Sequence, residues 1–176
     1  ISATAPNGIV TEAITVYVDE RASFRINEFV AQNAGPVTDE DGDETDWIEI
    51  KNTGNTPNDL AGFYLTDDPG NLTKWQFPST PINGDGLLLL FASDKDRSIS
   101  GAELHTNFKL SSGGEYLALV EPDGVTVHHE IAPSYPPQYV GSSYRRLTDG
   151  SLGYFAEPTP SAENGATTFS GFVEEE

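Results

Sequence analysis

The chain has 176 residues, enough for one domain with a core and flanking tails, and its Gly 17 and Pro 12 suit many short strands joined by turns. Its 28 acidic against 9 basic residues give a formal charge of -19, which repels a phosphate backbone and sets nucleic acid aside as a partner. With Cys 0, no disulfide, thiolate metal site or cysteine nucleophile can form.

Read from its start, the chain first alternates at Thr15-Val16-Tyr17-Val18, a strand that the sequence places in an N-terminal extension or at the end of a preceding domain (1–22). A second strand is expected over Phe24 to Val30, before a loop from Ala31 to Asp46 rich in Gly, Pro and acids. From Trp47 onward Ile48 and Ile50 alternate with Trp47, Glu49 and Lys51, as a strand with two differently solvated faces requires. Further strands are expected around Leu60 to Thr66 and Trp75 to Phe77. Leu87 to Ala92 is continuously apolar between turn residues, the pattern of a central strand buried on both faces. Tyr116 to Val120 and Val125 to Ile131 form a hairpin about Glu121-Pro122-Asp123-Gly124, with Gly124 supplying a positive φ. A last strand is expected over Ser142 to Leu147, then a Pro-containing tail. Eight to ten short strands at even spacing predict an all-β sandwich over 23–160, with 161–176 as a C-terminal linker.

Several strings stand out in order along the chain: Arg25-Ile26-Asn27-Glu28-Phe29, Asp46-Trp47-Ile48-Glu49-Ile50-Lys51-Asn52, Leu60-Ala61-Gly62-Phe63-Tyr64-Leu65-Thr66-Asp67 and Trp75-Gln76-Phe77-Pro78. Gly86-Leu87-Leu88-Leu89-Leu90-Phe91-Ala92, Leu104 to Leu110 and Gly114 to Leu119 follow them. Taken together they resemble the lamin tail domain family in its bacterial, extracellular form, over about residues 24–132 with a weaker tail to 160. The resemblance implies an immunoglobulin-like β-sandwich without catalytic residues, used as an interaction module within large secreted or surface proteins. The nuclear filament role of lamins does not carry over, because the chain has no heptad repeat.

The densest candidate for chemistry is Asp39-Glu40-Asp41-Gly42-Asp43-Glu44-Thr45-Asp46. Asp39, Asp41, Asp43, Glu44 and Asp46 are its metal-ligand candidates, since alternate aspartates wrap oxygens around a hard cation such as Ca²⁺. The sixth position of an EF-hand reading is Glu44 instead of Gly and the twelfth is Ile50 instead of Glu, so the loop is no EF-hand. A solvated acidic loop remains the alternative. Asp67 and Asp68 complete a cation site only if the fold brings the two loops together.

His128 and His129, adjacent on a strand, point to opposite faces and do not share a metal. No Gly-x-Ser-x-Gly frames any serine, so no catalytic residues are assigned. Tyr135, Tyr139, Tyr144 and Tyr154 gather in the Pro-rich C-terminal part. The first three are the candidate stacking platform for a sugar, against core packing as the alternative. Trp47 and Trp75 read as core.

The expectation is therefore a non-catalytic interaction or spacer module of a larger secreted or cell-surface protein, with Ca²⁺ as the cofactor its acidic loop invites. Its partner is a protein or a glycan, without nucleic acid or direct membrane insertion, and the isolated domain is monomeric. The alternative is a carbohydrate-binding module appended to an extracellular hydrolase. The lack of Met, even at position 1, fits a segment of a longer protein.

Overall fold

The computed structural model describes residues 23–35, 37–147 and 150–164, and the strand expected at Thr15 to Val18 lies outside them. Eleven strands are present among the described residues, and no helix. A five-stranded antiparallel sheet has the order β11-β10-β1-β2-β7. It comprises β1 (Phe24–Val30), β2 (Asp46–Asn52), β7 (Leu87–Ala92), β10 (Ser143–Arg146) and β11 (Leu152–Phe155). A four-stranded antiparallel sheet has the order β5-β4-β8-β9, from β4 (Tyr64–Thr66), β5 (Trp75–Gln76), β8 (Leu117–Val120) and β9 (Val127–Ile131). The short pair β3 (Asn58–Asp59) and β6 (Pro81–Ile82) stands apart from both.

The two large sheets close over one interior. Ile26, Phe29, Ile48, Ile50, Leu90 and Ala92 from the first meet Leu65, Trp75, Leu117, Leu119 and Ile131 from the second. Burying that apolar surface, at about 25 cal/mol per Å², drives the closure. The hairpin of β8 and β9 forms as the sequence predicts, with Gly124 at φ 73. The strand expected from Leu60 is shorter, because Leu60 to Phe63 turn through Gly62 at φ 83 before β4 begins.

Two expectations about faces are corrected. β7 is the last strand of its sheet and not a central one, and its outer edge is paired at Phe91 with the backbone of the segment from Leu104 to Thr106. The two faces of β2 are not differently solvated at its centre: Trp47 and Glu49 are buried as fully as Ile48 and Ile50. The outer side of the five-stranded sheet is roofed by Val30, Trp47 and Phe91 with Val37 and Leu89 packed on them, and by the chain from Glu157 to Asn164. Ser161, Glu163 and Asn164, read from sequence as linker, lie against that sheet.

Candidate functional site

The acidic loop folds on itself before it meets any partner. Asp39 Oδ1 accepts hydrogen bonds from the backbone N–H groups of Asp41 and Asp43, at 3.1 and 3.0 Å, and Gly42 turns the chain at φ 83. This draws Asp39, Asp41 and Asp43 into one group, their carboxylate oxygens within 4.8 Å of one another. Glu44 and Asp46, the other two candidate ligands, are not in it. Glu44 is exposed. Asp46 turns toward the backbone of Asn33, and burial pushes its carboxyl up to about 6 against the N–H groups of Asn33 and Leu110. Asp67 pairs with Lys74 at 2.6 Å instead.

The cation at the centre of the three aspartates is a side chain. Lys95 Nζ donates to Asp39 at 2.5 Å, Asp41 at 2.7 Å and Asp43 at 2.8 Å. Arg97 adds bonds to Glu40 and Asp41, both at 2.7 Å. Burial acts to raise the Asp39 carboxyl, but Lys95 and the loop's own N–H groups overcome it and hold the group below its ordinary range. Bonds from Lys95, then Arg97, bring Asp41 down to about 2, and the three aspartates raise Lys95 above its ordinary value.

Sequence reasoning missed Lys95. Its signal is weak: Asp94 and Asp96, on either side of it, adopt φ 63 and φ 52, a conformation that Asp tolerates better than most residues. These two bends interrupt a run in which Asp94, Asp96 and Arg97 donate to the carbonyls of Phe108, Thr106 and His105, turning Lys95 toward the loop.

Beneath this pole, Ser93 Oγ lies 2.8 Å from His105 Nδ1, and His105 Nε2 lies 3.1 Å from Glu103. Glu103 accepts, so Nε2 carries a hydrogen, and in the neutral ring Nδ1 then accepts from the hydroxyl. This Ser-His-Glu chain has the composition of a hydrolytic triad, yet His105 is fully buried and stacked on Phe91. Glu103 also accepts the backbone N–H of Glu40, so the chain ties the acidic loop to the sandwich.

The histidine pair separates as expected. His128 bonds Glu121 at 2.7 Å and sits edge-on to Phe63, whereas His129 Nε2 faces Arg146 at 2.9 Å.

The tyrosines divide. Tyr135 is core: it is 1% exposed, its ring lies 4.7 Å from Phe29, and its hydroxyl donates to Ser111 and Glu115. It is removed from the stacking platform, because Gly114 lets the backbone pass close enough to close over it. Tyr139, Tyr154 and Tyr144 form a half-buried edge-to-face ladder, with centroids 5.3 and 5.0 Å apart. A pocket of about 320 Å³ on the outer side of the five-stranded sheet is lined by Trp47, Val37, Ala34, Gly141, Pro158 and Pro160 among others, and by none of these tyrosines. No histidine lines it.

Two antiparallel sheets over one core, with charged loops at one pole, define an immunoglobulin-like β-sandwich module. The family model of the lamin tail domain matches residues 19–132, and the chain belongs to that family. No curated protein matches it.

Proposed function

We infer that this chain is a non-catalytic binding module of a larger secreted or cell-surface protein, and that its acidic pole is a preorganised contact surface for a cationic partner. One observation carries the reading. Among the described residues, Asp39, Glu40, Asp41 and Asp43 are paired with Lys95 and Arg97, which fix their geometry, and Glu103 joins them through the Glu40 N–H, so negative charge is left in excess. Fixed charges of one sign recruit an oppositely charged surface and cost nothing further to order on binding.

Calcium enters the same reading as a competitor. The Lys95 ammonium occupies the position a hard cation would take among the three aspartates, so calcium must displace it to bind. We propose that Lys95 is the loop's resident cation.

A second reading, a carbohydrate-binding module, is favoured by the half-buried ladder of Tyr139, Tyr154 and Tyr144. Stacked half-buried rings suit a sugar face. One experiment separates the two: the immobilised chain is challenged with cationic peptides and with a polysaccharide panel. The first reading expects peptide retention that fades with ionic strength and with Glu40→Lys. Polysaccharide retention that Tyr139→Ala abolishes would establish the second reading instead, and hydrolysis of any panel member would overturn both.

A further inference from the structure

The outer face of the five-stranded sheet holds a buried polar network that neither reading uses. Glu28 on β1 and Glu49 on β2 are cross-strand partners, and both are fully buried. They are roofed by the C-terminal segment. Thr159 N–H and Oγ1 donate to Glu28 at 3.1 and 2.8 Å, Ser161 N–H donates to Glu49 at 2.6 Å, and Asn164 bonds Asn27. The grip is polar: Ser161, Ala162 and Glu163 are exposed on their other side. Ser161 is held at φ 59, an unfavourable conformation for serine, where its N–H meets Glu49.

The cations around this pair are unevenly placed. Arg145 on β10 reaches Glu28 at 3.4 Å and also bonds Thr159. Among the described residues, the donors that Glu49 meets are the Asn27 amide and the Ser161 N–H. Glu163 on the C-terminal segment adds a like charge, itself paired with Lys51 at 2.6 Å, and Arg25 on β1 bonds Asn27. On β7 the residue opposite Glu49 is the apolar Leu89. Two carboxylates thus share one directly bonded guanidinium in a dry site, where a second full negative charge is unfavourable.

We propose that residues 157–164 are a releasable strap that seats fully when Glu49, beside Glu28, holds a proton, so that the strap tightens in acid and loosens toward neutral pH. Release uncovers Glu28, Glu49 and Arg145 together with the Pro158 and Pro160 wall of the pocket beside Trp47. Burial first, with repulsion from Glu28 and Glu163 and against the bonds from Asn27 and Ser161, raises the Glu49 carboxyl to about 7 from its ordinary 4.5. A raised carboxyl favours the closed strap fully below 4.5, and that advantage is lost as pH climbs to about 7 and is constant above it.

The test is amide exchange of Thr159 and Ser161 by NMR in the full chain, corrected for intrinsic exchange, from pH 4.5 upward past 7. Protection is expected to fall by up to about tenfold per pH unit and then level off. Glu49→Gln, which carries a neutral amide, is expected to keep the strap protected across the range. Flat protection in the wild type, or an unchanged slope in Glu49→Gln, overturns the proposal. Should that variant fail to fold, the carboxyl ¹³C titration of Glu49 in the wild type decides: a midpoint near 7 supports the strap and an ordinary one overturns it.

Discussion

Lys95 and His129 show how single charges are placed. Lys95 reaches the aspartates because left-handed residues flank it, and no periodicity reports such a bend. His129 is the opposite case, a base kept neutral. Burial first, and then the charge of Arg146, lower it to about 4 from 6.5. Its Nε2 accepts from Arg146, which the charged ring could not do. A histidine depressed in the folded state contributes stability above 6.5, and that contribution drains away as pH falls toward 4. Thermal midpoints should therefore decline over that window in the wild type and less steeply in His129→Gln, and parallel profiles would contradict this. Gly114 is a backbone counterpart: at φ 95, an added Cβ would lie 2.4 Å from the Tyr135 carbonyl oxygen. Gly114→Ala is expected to cost about 1–3 kcal/mol or more in urea denaturation.

The bulge in β1 explains why part of the candidate site was legible and part was not. The register shifts between Ile26 and Glu28, so that Asn27 and Glu28 both serve the outer face while Ile26 and Phe29 both enter the core. In the sequence the trace is the spacing of Phe24, Ile26 and Phe29, which breaks an alternation of two. Read as an ordinary strand, β2 gave the right length and the right inward residues, but its outward Glu49 looked solvated. What covers it is a segment more than a hundred positions away, joined by Ser161, and local patterning carries no information about such contacts. The hairpin of β8 and β9 was legible because turn and alternation are local. The interior is the most predictable element: Ile48→Ala and Leu119→Ala, one from each sheet, should each lose about 2–5 kcal/mol in urea denaturation.

For the whole molecule, a charge of -19 is distributed with structure. The loop from Asp39 to Asp43 is gathered by Lys95 and Arg97, and the Ser93, His105 and Glu103 chain anchors it to the sandwich. Side chains that resemble a metal centre and a triad are thereby engaged in holding one acidic pole in shape on a lamin tail domain. Calorimetric melting of the wild type and of Lys95→Met, each in saturating calcium and in chelator, tests this most directly. The resident-cation account predicts coincident wild-type midpoints and a lower Lys95→Met midpoint that calcium restores in part. A wild-type midpoint that calcium raises by several degrees, with Lys95→Met behaving like the wild type, would contradict it.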